Sequence, residues 1–242
     1  MNILITGSSS GIGFGLTRTA LQDGHRVFGI SRRPVKHFEH FRDYRHLLLN
    51  IADDAAVRRL LPEFLSSCGL TPRSGATLDL IILNAGILGP VKRMDELGIP
   101  AIKEVMETNV WSNKRLLDLL FNQGIPVTQV VGISSGASQS STPGWGAYAL
   151  SKAALNMLMN VYAQERPATH FSALAPGLVD SEIQDSIYRM QETEKYPVLK
   201  KLQDARFSDA MPDPLKAAPK LFNGMRKALE LPSGSYLDIR EI

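Results

Sequence analysis

Tyr148 and Lys152 stand four residues apart in Tyr148-Ala149-Leu150-Ser151-Lys152, and Ser135 precedes the tyrosine by thirteen. Four residues along a helix is a little over one turn, so the phenol and the ammonium share one face and converge. An ammonium beside a phenol favours the phenolate and lowers its pKa from about 10. A phenol tuned in this way can give or take a proton during catalysis, and the Ser135 hydroxyl could hold the oxygen on which that proton lands. Taken alone, the pair is a weak signal and is more often a surface Tyr–Lys pair on an amphipathic helix. The preceding elements decide between the two.

Ile3-Leu4-Ile5-Thr6 reads as a buried strand, followed by Gly7-Ser8-Ser9-Ser10-Gly11-Ile12-Gly13 and a helical pattern from Leu16 to Leu21. Strand, glycine turn and helix form the setting of a phosphate-binding turn. Glycine lets the backbone approach a pyrophosphate, and the helix N-terminus offers it free N–H groups. No Lys-Ser/Thr follows the last glycine, which excludes a Walker A loop. Arg26–Ile30 reads as the second strand and ends in Ser31-Arg32-Arg33. NAD folds usually place an acidic residue there for the ribose hydroxyls. Two guanidiniums instead of a carboxylate point to a 2′-phosphate, hence to NADP(H) rather than NAD(H).

Further strands are read at Arg45–Ile51, Leu78–Leu83, Val127–Ile133, His170–Leu174 and Ser235–Ile239. Helices are expected from Asp53/Asp54 through Leu60, from Pro100 onward carrying Asn109, and around Tyr148. Strands alternating with helices predict one α/β domain over residues 1–242, a doubly wound, mostly parallel sheet in three layers. In such sheets the ligand lies beyond the carboxyl ends of the strands. Gly7, Ser31, Asn84, Ser135 and Pro176 all fall at those ends. Residues 182–216, polar and interrupted by prolines, read as a helix or two plus loop beside a pocket.

With 242 residues, 44% apolar, 21% charged and a net charge of +3, the chain has an ordinary globular composition. Its basic residues form no long run, so no nucleic-acid partner is expected. Cys68 is the one cysteine, so no intrachain disulfide can form and a reducing, cytoplasmic setting is the expectation. No apolar stretch reaches membrane-spanning length. His37 and His40 lack further partners at ligand spacing, so no metal site is expected.

Together these residues resemble the single-domain branch of the short-chain dehydrogenase/reductase family. Thr6-Gly7-x-x-x-Gly11-Ile12-Gly13 matches its cofactor motif, and Asn84-Ala85-Gly86 its Asn-Asn-Ala-Gly motif with Leu83 for the first Asn. Asn109, Ser135, Tyr148 and Lys152 match its catalytic tetrad. Pro176-Gly177-Leu178-Val179-Asp180-Ser181 matches Pro-Gly-x-Val-x-Thr with Ser for Thr. Asn50 stands where the family often has an aspartate that meets the adenine. After Ser181 the chain carries no family motif.

The resemblance implies a Rossmann fold and hydride transfer between NADP(H) and a carbonyl or alcohol substrate, with Tyr148 as general acid/base. Ser135 would bind the carbonyl, Lys152 would bridge the nicotinamide ribose and the tyrosine, and the backbone of Asn109 would hold a relay water. Ser9, Ser10, Gly11, Ile12 and Gly13 would follow the pyrophosphate beside Gly7. Ser31, Arg32 and Arg33 would take the 2′-phosphate end, and Asn50, Ile51, Asn84, Ala85 and Gly86 the adenosine side. Pro176, Gly177, Val179 and Ser181 would orient the nicotinamide. A homodimer or homotetramer is implied as well. Two other readings share the fold: an NADP(H)-binding sensor with little turnover, and a sugar-nucleotide epimerase. The tetrad disfavours the first, and the glycine spacing and short length disfavour the second.

Overall fold

The structure, a computed structural model, describes all residues 1–242. Seven parallel strands form one sheet in the order β3-β2-β1-β4-β5-β6-β7. They are β1 (Asn2–Thr6), β2 (Arg26–Ser31), β3 (Tyr44–Leu48), β4 (Leu78–Leu83), β5 (Val127–Ile133), β6 (His170–Ala175) and β7 (Ser235–Asp238). The order reverses between β1 and β4, and a crevice opens at that switch point. β1 pairs on both sides, Ile3 with Val27 and with Leu80.

Successive strand residues face opposite sides. Leu4, Phe28, Ile81 and Val130 pack under α2 (Asp54–Ser67), α4 (Ser112–Asn122) and α5 (Gly146–Glu165). Ile3, Ile5, Val27, Ile82 and Val131 pack under α1 (Gly11–Gln22) and α8 (Pro214–Ala228). Each fully buried Ile or Leu contributes about 1.5–3 kcal/mol, which explains why these strands read as continuous apolar runs. α3 (Ile99–Met106) runs into α4 through a π-turn at Glu107–Trp111, which contains Asn109. α6 (Glu182–Tyr188) and α7 (Pro197–Ala205) occupy the segment expected to flank a pocket.

The sheet and the three layers follow the sequence reading. β3 ends at Leu48, three residues before the expected limit, although the Leu49 N–H still donates to the Ser31 carbonyl at 2.9 Å. Helix α8 was not anticipated. It opens on Asp213, whose side chain caps the Leu215 and Lys216 N–H groups, and it tolerates Pro219 in its interior. No helix is long and apolar enough to cross a membrane. No group of three His, Cys, Asp or Glu is placed to hold a metal ion.

Candidate active site

A cleft of about 350 Å³ lies over the carboxyl ends of β1, β2, β4 and β5. It runs from Arg32 and Arg33, across Gly7, Ser9, Ser10, Gly11 and Ile12, to Tyr148 and Lys152. Asn50, Ile51, Asn84, Ala85 and Gly86 line one side, with Pro176 and Ser181 opposite. The sequence reading thus named most of this surface.

The turn after β1 is built for close approach. Gly7 and Gly11 adopt φ +70° and +52°, the left-handed region open to glycine. A Cβ on Gly11 would come within 3.0 Å of the Ser181 side chain across the cleft. Asn84 ties this turn to β4: its Nδ2 donates to the Thr6 carbonyl at 3.0 Å, and its own N–H donates to Thr6 Oγ1 at 3.0 Å. At the far end of β2, Arg33 pairs with Glu182 at 2.6 Å and donates to Ser10 Oγ at 2.8 Å. Arg32 is exposed and carries no partner. Beneath them the Ser31 hydroxyl donates to the Arg33 carbonyl and meets His46 Nε2, both at 2.8 Å. A basic end and a glycine-lined floor fit an anionic ligand such as a dinucleotide.

At that far end α5 presents Tyr148 and Lys152 side by side, 9% and 4% exposed. The Lys152 ammonium lies 5.6 Å from the Tyr148 ring centroid and donates to the Ile133 carbonyl at 2.7 Å. The expectation of a phenol lowered by its ammonium is not met. Burial pushes Tyr148 up to about 12, and the Ser135 side chain only partly opposes this. Burial likewise lowers Lys152 to about 8. Desolvation penalises the charged form of each group and is the leading cause of both shifts.

Five of the named residues do not line the cleft. Gly13 lies behind the turn, where a Cβ would sit 2.2 Å from the Gly7 carbonyl oxygen. Val179, 4% exposed, packs among Ile5, Leu174 and Ile239, and a Cβ on Gly177 would come 3.2 Å from Ile239. Asn109 is fully buried: its carboxamide closes two bonds with the Ile87 backbone at 2.8 and 2.9 Å, and its carbonyl accepts from Asn113 Nδ2 at 2.9 Å. Ser135 stands beside Tyr148 rather than on the cleft wall. Its Oγ accepts from the Ala137 N–H at 3.1 Å, which leaves its proton to donate outward. Ser134 and Thr108 line the cleft without a place in the sequence reading, whereas Glu182 and Ile183 belong to the segment expected beside a pocket. Only Ser134, next to Ser135, carried a signal.

Beyond Tyr148, α6 and α7 close an apolar roof of Leu88, Ile187, Tyr196, Leu199 and Met211. The Trp145 ring meets the Tyr148 ring edge-on at 5.8 Å. A substrate reaching the phenol therefore meets aromatic and aliphatic surface.

Residues 1–192 match the family model for short chain dehydrogenase. A benzil reductase of Saccharomyces cerevisiae that forms (S)-benzoin is 33% identical over 201 residues, 76% of this chain and 74% of that one. A Bacillus subtilis benzil reductase, also (S)-benzoin forming, is 28% identical over 249 residues, 98% of each chain. Among solved structures, a short chain dehydrogenase/reductase from Saccharomyces cerevisiae superposes with a TM-score of 0.82 at 26% identity, covering 98% of this chain and 95% of that chain.

Proposed function

The chain belongs to the short-chain dehydrogenase family, and we propose that this oxidoreductase is an NADP(H)-dependent carbonyl reductase with Tyr148 as its proton donor. The observation that carries the reading is the convergence of Tyr148, Lys152 and Ser135 at the closed end of a glycine-floored cleft whose open end is basic.

Gly7, Gly11 and Ile12 would cradle the cofactor's pyrophosphate, with the α1 N-terminus facing it. Arg32, with Ser31 and Arg33 beside it, would take the 2′-phosphate. Asn50, Ile51, Asn84, Ala85 and Gly86 would bound the adenosine side, and Pro176 and Ser181 the nicotinamide side. When bound, the cofactor supplies the hydride that reduces the carbonyl carbon.

The protein's own residues handle the oxygen and its proton. The Ser135 hydroxyl donates to the substrate oxygen and fixes its place. Tyr148, raised by burial to about 12, stays protonated at neutral pH and gives its proton to that oxygen as negative charge develops. Lys152 stabilises the phenolate that remains, and the backbone of Asn109, buried behind it, would hold the water that returns the proton. The roof and Trp145 exclude water and favour an apolar, aromatic carbonyl. Benzil, the substrate in the names of two relatives, is the natural first probe.

The test is NADPH consumption with benzil, with NADH in parallel and Tyr148→Phe as the blank. Acid catalysis of this kind is worth about 10²–10⁴-fold. Tyr148→Phe should lose that much turnover while binding NADPH as the parent does. Full turnover without the hydroxyl would remove Tyr148 from the mechanism, and a preference for NADH would overturn the reading of the basic end.

A further inference from the structure

Helix α5 carries a third polar residue on the face of Tyr148 and Lys152: Asn156, four residues beyond the lysine. Its carboxamide is used at both ends. The Ser134 hydroxyl donates to Asn156 Oδ1 at 2.5 Å. Asn156 Nδ2 donates to Ser138 Oγ at 2.9 Å. The Ser138 hydroxyl in turn donates to the Ser135 carbonyl at 2.7 Å, and its backbone N–H donates to the same oxygen at 3.0 Å.

One side chain thus grips the turn that carries Ser135 on both sides, at Ser134 before it and at Ser138 after it. With Lys152 on the Ile133 carbonyl at 2.7 Å, α5 holds the end of β5 and the turn after it at Ile133, Ser134 and Ser138. Such a clamp needs an acceptor and a donor on one planar group, which a carboxamide supplies and neither an apolar side chain nor a carboxylate does. Tyr148 and Asn156 are eight residues apart on one continuous helix, a separation fixed at about 12 Å. The clamp therefore sets Ser135 relative to Tyr148, whatever else moves around them.

We propose that Asn156 is a positioning residue for carbonyl reduction, acting through Ser135 and touching neither substrate nor cofactor. The proposal rests on the roles given above to Ser135 and Tyr148. Placement matters at this scale, because a misplacement of about 1 Å can cost roughly 10²-fold in rate.

Asn156→Ala and Ser138→Ala cut the clamp at different points, so the second serves if the first does not fold. With benzil and NADPH, Asn156→Ala should lower kcat by about tenfold or more, and Ser138→Ala by severalfold, within the range misplacement allows. NADPH affinity, read by fluorescence titration, should stay within about twofold of the parent. In a Ser135→Ala background, Asn156→Ala should cost less than about twofold, since coupled residues are not additive. An unchanged kcat overturns the proposal, and so does an equal cost with and without Ser135, the mark of a merely structural role. Amide hydrogen exchange over residues 134–140 of the full chain reads the clamp without turnover. Asn156→Ala should speed it by about tenfold or more, and unchanged protection overturns the clamp. A parent that shows faster exchange in the variant but no tyrosine-dependent turnover would instead count against the reductase reading.

Discussion

Arg33 Nη2 lies 2.6 Å from Glu182 Oε1, so an ion pair joins the loop after β2 to the first residue of α6 across the mouth of the cleft. Both side chains are more than half exposed, a setting in which such pairs are weak and screened. Arg32, one residue earlier, has no partner. A 2′-phosphate entering here would meet one free guanidinium, one already engaged, and a carboxylate of its own sign.

Glu182→Gln is therefore expected to tighten NADPH binding by about two- to fivefold, the range of an exposed pair, and to leave NADH affinity unchanged. Arg32→Ala should weaken NADPH by roughly tenfold or more through loss of a charge-assisted contact and should also spare NADH. Fluorescence titrations with both cofactors check this. An unchanged NADPH affinity in Arg32→Ala would shift the 2′-phosphate to Arg33 or remove it from this end of the cleft.

Gly13 offers a test of the floor. A Cβ there would stand 2.2 Å from the Gly7 carbonyl oxygen and 2.6 Å from Asn84 Nδ2, and neither neighbour can yield without breaking the join between β1 and β4. Gly13→Ala should cost about 1–3 kcal/mol by overpacking, a fall in Tm of several degrees at this chain length, and should abolish tight NADPH binding. Gly24, unlike Gly13, has a positive φ, +75°, and faces open space. Gly24→Ala should cost about 1–2 kcal/mol of backbone strain and leave cofactor binding intact. Equal effects of the two on binding would mean that the close packing of Gly13 behind the turn does not shape the cradle.

The contrast between these glycines shows what a sequence displays and what it hides. The strand–turn–helix grammar of Ile3–Gly13 is local, so it was readable, and so was the pairing of Tyr148 with Lys152 at helical spacing. The seven apolar runs were legible because parallel strands are buried on both faces. Helix α8 escaped notice because Pro214 and Pro219 look like breaks until Asp213 is seen to cap the first turn. The roles of Glu182 and Asn156 are set by partners distant in the chain, Arg33 in one case and Ser134 with Ser138 in the other. The phenol's direction was misread for a related reason. Lys152 is visible in the sequence, whereas burial comes only with tertiary packing, which for Tyr148 includes the roof of α6 and α7.

That desolvation has a measurable consequence for stability. Lys152 falls from 10.5 to about 8 on burial. Below pH 8 the amine is charged whether folded or unfolded, and the folded state bears the whole cost of burying the charge. Between pH 8 and 10.5 the unfolded chain keeps a proton that the folded one has released, so stability rises with pH. Tyr148 acts in the opposite sense at higher pH. Raised from 10.0 to about 12, it holds its proton when folded after the unfolded chain has lost it, so its contribution falls between pH 10 and 12. Lys152→Met keeps most of the apolar stem and removes the first effect alone. The stability of this variant relative to the parent should decline as pH rises from 8 to 10.5, by at most about 3–4 kcal/mol at 1.36 kcal/mol per pKa unit. Thermal melting of both proteins across that range measures it. A difference that stays flat would mean that the buried amine keeps its ordinary affinity for a proton, and that the Ile133 carbonyl suffices to hold its charge.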